Sequence, residues 1–137
     1  MILLDTNILS ELMKPRADER MRDWLLSLGD ERLATTAICI AEIEYGLHRL
    51  PEGKRREDLR ARFAQLSSAL NILPLDETAA TQAGRFRAQR ESLGLAATAS
   101  DMMIAGIAAA SGAVLATRNT RDFAQLPLTL IDPWVDV

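Results

Sequence analysis

Met1-Ile2-Leu3-Leu4-Asp5-Thr6-Asn7-Ile8-Leu9-Ser10-Glu11-Leu12 opens the chain with four apolar residues that lead to a carboxylate. Ile2 to Leu4 form a short buried strand, and residues from about 7 to 13 can turn helical before Pro15 stops them. A strand feeding directly into a helix is one β/α unit, and the same alternation continues along the rest of the sequence. Met21, Trp24, Leu25 and Leu28 recur at helical spacing, and Gly29 supplies a left-handed stop. Leu33 to Thr35 read as the next strand, followed by a helix from about 37 to 49 that contains Glu42 and is bounded by Pro51 and Gly53.

Further on, Leu59, Phe63, Leu66 and Leu70 draw one apolar stripe over residues 54 to 70, and Asn71 to Pro74 form a brief extended segment. Asp76 can cap an alanine-rich helix that ends near Gly94. Thr98-Ala99-Ser100-Asp101 opens another, closed by Gly112. Ala113 to Thr117 read as a strand, residues 120 to 125 as a helical turn, and Leu128 to Ile131 as a final strand. Strands joined by helices are most simply parallel with right-handed crossovers. The expected fold class is α/β: an α/β/α sandwich around a central, mainly parallel sheet, in a single domain spanning residues 1–137.

Composition agrees with an ordinary globule: 48% of residues are hydrophobic and 26% charged. A net charge of −3 argues against coating nucleic acid by bulk positive charge. Local basic clusters at Lys54-Arg55-Arg56, Arg60 and Arg62, at Arg85, Arg87 and Arg90, and at Arg118 and Arg121 could nonetheless grip a phosphate backbone. They equally describe solvated helix faces, because Glu57, Asp58 and Glu91 interleave with them. The amino-terminal segment has neither a basic region nor a long apolar core of the secretory kind, and no stretch has the apolar length of a membrane span. With Cys39 as the single cysteine no disulfide can form within the chain, so a cytoplasmic protein with no membrane association is expected.

Ligands of open α/β sheets collect beyond the carboxyl ends of the strands. Asp5 follows the first strand, Asp101 begins a helix, and Asp122 comes after the strand ending at Thr117, while Glu42 can reach back over the sheet edge from its helix. Each acid also has a capping or surface explanation: Asp101 lies three residues after Thr98 at capping-box spacing, Asn119 and Asp122 could cap the turn, and Asp5 and Asn7 the first helix. Capping does not predict convergence on one sheet edge, however. Carboxylates held close repel until a proton or a cation intervenes. A set of carboxylates without a His or Cys cluster suits Mg²⁺, with Mn²⁺ as the alternative.

These residues resemble the PIN-domain nucleases, and within them the VapC-like toxins including the FitB type. Met1 to Leu12 is similar to the family's first motif, Ala41-Glu42-Ile43-Glu44-Tyr45-Gly46 to its second, and Ser100-Asp101-Met102-Met103-Ile104-Ala105 to its third. Ala116-Thr117-Arg118-Asn119-Thr120-Arg121-Asp122-Phe123 resembles the fourth, and Asp132-Pro133-Trp134 a common ending. The segment Gly94 to Ala99 departs from the family in being alanine-rich. The resemblance implies that Asp5, Glu42 and Asp101 bind metal directly or through water and that Asp122 completes the cluster. It gives supporting roles to Thr6, whose hydroxyl would position Asp5 or a water, and to Asn119, which would hydrogen-bond a carboxylate or water. It also implies a small antitoxin partner, DNA contact only through that antitoxin, and a homodimer.

The implied reaction is hydrolysis of an RNA phosphodiester by metal-activated water, with Arg118 and Arg121 as candidates for phosphate contacts. His48 and Cys39 form no recognisable nucleophile–base pair, and His48 reads as a surface or helix-end residue. A haloacid-dehalogenase-type phosphatase would want a second Asp where Asn7 stands, and a receiver domain a lysine late in the chain, whereas none follows Lys54. A PIN-fold binding module that keeps the acids without turnover is the non-enzymatic alternative.

Overall fold

The computed structural model describes residues 1–136. Ile2–Leu4 form β1, Thr6–Leu12 α1, Glu19–Ser27 α2, Leu33–Thr36 β2, Ala37–Arg49 α3 and Lys54–Ser68 α4. Asn71–Leu73 (β3), Glu77–Ser92 (α5), Ala99–Ser111 (α6) and Val114–Ala116 (β4) follow, then a 3₁₀ turn over Thr120–Phe123 and the edge strand β5, Leu130–Ile131. The strands lie in the order β3-β2-β1-β4-β5. Every pairing is parallel, with Leu3 opposite Ala34 on one side and Leu115 on the other. The expected sandwich therefore holds, with a sheet that is wholly parallel.

Short buried runs explain the three inner strands, β2, β1 and β4. Ile2, Leu3 and Leu4 are buried together, as the central strand of a sheet covered on both faces requires. Caps fix the helices: Asp5, Asp18, Thr36, Asp76 and Thr98 each accept, on a side-chain oxygen, a hydrogen bond from a backbone N–H of the first turn. α6 closes on Gly112 in the left-handed conformation. β4 is shorter than the run that announced it by one residue at each end and β5 by the two residues Leu128 and Thr129, whereas β2 runs one residue further, to Thr36. Among the described residues no helix is long and apolar enough to cross a membrane.

The strand order locates the crevice. The chain steps from β1 outward to β2 and β3, then crosses back to β4 on the other flank of β1. Right-handed crossovers put α1 to α4 on one face and α5 and α6 on the other. The direction of winding thus reverses between β1 and β4, and their carboxyl ends open onto the place where such sheets hold ligands.

Candidate active site

Asp5 leaves β1 at this switch point. Its backbone N–H still donates to the Ala116 carbonyl of β4 (3.0 Å), so the carboxylate is fixed by the sheet as well as by α1, which it caps. It is 5% exposed, and both oxygens are engaged. Oδ1 accepts the Thr6 N–H at 2.8 Å, and Oδ2 accepts the Thr117 hydroxyl at 2.7 Å and the Asn7 amide at 3.3 Å. Burial nevertheless raises its pKa; the donors from Thr117, Thr6 and Asn7 pull the other way, and the Glu42 charge adds to the rise.

A cavity of about 410 Å³ opens above Asp5, and Glu42 and Asp101 face it too. Glu42 is exposed on α3 and accepts the Thr6 hydroxyl at 2.9 Å. Asp101 stands in the first turn of α6, where its N–H donates to the Thr98 hydroxyl at 3.2 Å. Its carboxyl is also pushed above the ordinary range, chiefly by burial; Thr98 and Arg90 oppose the rise, and the charges of Asp5 and Asp122 reinforce it. Three of the four acids thus share one cavity. Asp122, partly buried in the 3₁₀ turn, acts on Asp101 through space and is not part of the cavity wall.

The Thr6 hydroxyl binds Glu42, while Asp5 is held by the Thr6 N–H. Asn119 lines the cavity and donates its N–H to the Thr117 hydroxyl at 3.0 Å; among the described residues it has no carboxylate partner. Asn119 and Asp122 do not cap the turn by side-chain bonds: the capping position, Asn119, makes none. Arg118 is at the cavity, its N–H on Asn7 Oδ1 (3.1 Å) and its guanidinium 4.7 Å from the Trp134 ring centroid. Arg121 is exposed and does not line it.

Sequence reasoning missed Thr117, Glu11, Lys14 and Trp134, and treated Asn7 only as a cap. Thr117 is fully buried at the end of β4; β1 and β4 being neighbours was the signal for it, and that depends on strand order. Glu11 and Lys14 form an ion pair of 3.1 Å on the cavity wall. His48 sits exposed in the last turn of α3, within 3.4 Å of Glu44, and Cys39 is buried with its thiol pKa raised by burial and by Asp5. Neither has the surroundings of an activated nucleophile.

Residues 2–127 match the family profile described as PIN domain. The chain belongs to the PIN-domain family, among its VapC- and FitB-like members. It is 36% identical to the VapC ribonuclease Y4jK of Sinorhizobium fredii, with 98% of each chain covered. It is 36% identical to the toxin FitB of Neisseria gonorrhoeae, covering 99% of this chain and 100% of FitB. The structure of FitAB bound to an IR36 DNA fragment superposes with a TM-score of 0.87 at 36% identity, covering 98% of this chain and 96% of that one. Among the described residues of this PIN domain, no three His, Cys, Asp or Glu side chains are drawn together tightly enough to enclose a metal ion on their own. The donors facing the cavity are nonetheless all oxygen, from carboxylates, hydroxyls and amides, as a hard divalent cation with water in its shell prefers.

Proposed function

We propose that this PIN domain is a metal-dependent endoribonuclease acting as the toxin of a type II toxin–antitoxin pair. The observation that carries the reading is the meeting of Asp5, Glu42 and Asp101, from three separate elements, on one cavity at the sheet's switch point. Burial and mutual repulsion keep Asp5 and Asp101 reluctant to ionise, a cost that a cation would offset. Mg²⁺, or Mn²⁺ in its place, would be held by Asp5, Glu42 and Asp101, with Asp122 behind Asp101. It would supply an acidified water and positive charge for in-line phosphodiester hydrolysis.

The chain's own residues do the rest. Thr117, Asn7 and Thr6 orient the Asp5 carboxylate through three donated hydrogen bonds, and Asn7 also donates to the Thr117 hydroxyl. Thr6 also steadies Glu42. Arg118, clamped against Trp134, offers its guanidinium to a backbone phosphate of RNA, and Arg121 extends positive charge away from the cavity. The relatives named as ribonuclease and toxin, and the FitAB complex bound to DNA, support an antitoxin partner; in this proposal DNA is contacted only through that antitoxin. A homodimer in the cytoplasm completes the proposal.

Purified protein is to be assayed on a pool of structured RNAs with Mg²⁺ or Mn²⁺, beside an EDTA control, Asp5→Asn and Glu42→Gln. Glu42 is exposed and, among the described residues, its carboxylate bonds only to Thr6, so its substitution leaves the core untouched. Cleavage should vanish with EDTA and fall by about 10²-fold or more in each variant. Undiminished cleavage by both variants at saturating metal would sink the assignment. Metal binding without any cleavage would make the chain a binding module.

A further inference from the structure

α5 buries an arginine. Arg90 is 2% exposed, and among the described residues it has no carboxylate within ion-pair distance. Among the described residues its guanidinium bonds to main chain alone: Nε donates to the Ala96 carbonyl at 2.8 Å and Nη1 to the Ala124 carbonyl. Ala96 precedes Thr98, the cap of the helix that carries Asp101. Ala124 directly follows the 3₁₀ turn that carries Asp122. The fork therefore ties together the two segments that present the second pair of acids.

Neighbouring bonds strengthen the tie. The Arg90 carbonyl accepts the Leu95 N–H at 3.0 Å, and Gln89 Nε2 donates to the Gln125 carbonyl at 2.8 Å. Gln125 has a φ of 68°, in the left-handed region that non-glycine residues adopt at a cost, so this corner is held rather than relaxed. A buried cation contributes little to stability by itself, and an apolar side chain of similar volume often packs as well. What an apolar residue cannot supply is a planar set of donors that fixes two carbonyls of different segments at once.

We infer that Arg90 is a positioning residue: from behind the site it holds the Ala96 strap and the Ala124 turn in register, and so sets the approach of Asp122 to Asp101. It touches neither RNA nor metal. Its effect on cleavage rests on the proposed ribonuclease reading, but the coupling of the two segments does not. This gives the inference a readout of its own.

The test uses the full chain as wild type, Arg90→Lys and Arg90→Met. Amide hydrogen exchange is followed residue by residue, with RNA cleavage measured under Mn²⁺. In wild type, residues 95–101 and 122–126 should open together, with the same protection. In Arg90→Met both segments should exchange at least about tenfold faster while β1, β2 and α3 keep their protection. kcat should fall by about 10²-fold with KM within about twofold, as expected for misplaced rather than missing groups. Arg90→Lys, which keeps the charge but not the fork, should recover part of the kcat. If Arg90→Met does not fold, the lysine variant and the wild-type exchange pattern decide. Coupled loosening in a protein that cuts no RNA would support the clamp while removing the ribonuclease reading. Independent opening of the two segments, exchange that rises evenly over the molecule, or unchanged kcat in both variants would overturn it.

Discussion

Thr117 shows how much of the site depends on a residue with no chemistry of its own. Its buried hydroxyl donates to Asp5 Oδ2 and accepts from Asn119 N and Asn7 Nδ2, so one oxygen links the ends of β1 and β4. Thr117→Val leaves these partners without it and should destabilise the protein by about 1–3 kcal/mol. Because that bond favours the charged form of Asp5, its loss should also move the acid limb of the pH–rate profile to higher pH; a limb that stays put would remove Thr117 from the tuning of Asp5. Trp134 is the second such residue. Its ring lies against the Arg118 guanidinium, and its carbonyl accepts Arg20 Nη1 at 2.9 Å, which anchors the ring from α2. Trp134→Leu should raise KM for RNA about threefold at constant kcat, in line with the worth of one partly exposed cation–π contact, and Trp134→Phe by less. Combined with Arg118→Ala, the leucine variant should add nothing further; additive effects would mean that the tryptophan acts independently of the arginine. Asp5, Glu42 and Asp101 could be read from sequence because motif spacing and strand-end position both single them out. Thr117 and Trp134 could not, since their roles exist only once β4 and the carboxy-terminal segment lie beside β1.

The same division holds for the elements. Helices with a side-chain cap and an apolar stripe were legible: Asp76 and Thr98 begin α5 and α6 where the sequence places them. Strand limits were less so, because the run Leu128 to Ile131 begins before the strand: Leu128 packs on the core, and Thr129 lends only its carbonyl to the Leu115 N–H. The small residues of α6 let it approach α5 closely. A Cβ on Gly106 would press on the Ala79 carbonyl oxygen and lie 2.9 Å from the Ala83 N, both in α5. Backbone cannot step aside as a flexible side chain does. Gly106→Ala should therefore cost about 1–3 kcal/mol despite alanine's better helix propensity, by denaturant unfolding. Gly84→Ala, on α5 with nothing within 4 Å of its added Cβ, is the control and should be neutral or stabilising. Equal effects of the two would show that α5 and α6 do not pack as described.

At the scale of the molecule, a net charge of −3 conceals a local accumulation of carboxylates at one sheet edge, and its energetic consequence depends on pH. Asp5 and Asp101 both have folded-state pKa values raised above their unfolded ones, so the folded state binds their protons more tightly than the unfolded chain does. That contribution to stability is fully present below the unfolded carboxylate range, near pH ~3.9, and is lost as pH rises through the raised values. Asp101 is the cleaner probe, because Asp5 also caps α1 and its replacement disturbs the Thr117 network. Without metal, Asp101→Asn should melt at the same temperature as wild type near pH 3.5 and progressively above it as pH approaches 7. Saturating Mn²⁺ should reverse the order at neutral pH, since only the wild type regains the charge that the cation needs. Calorimetry at a series of pH values with and without Mn²⁺ measures both effects. An asparagine variant that is never the more stable of the two without metal would mean that the acids are not held against their mutual repulsion. An order that Mn²⁺ leaves unchanged would take Asp101 out of the proposed cation site.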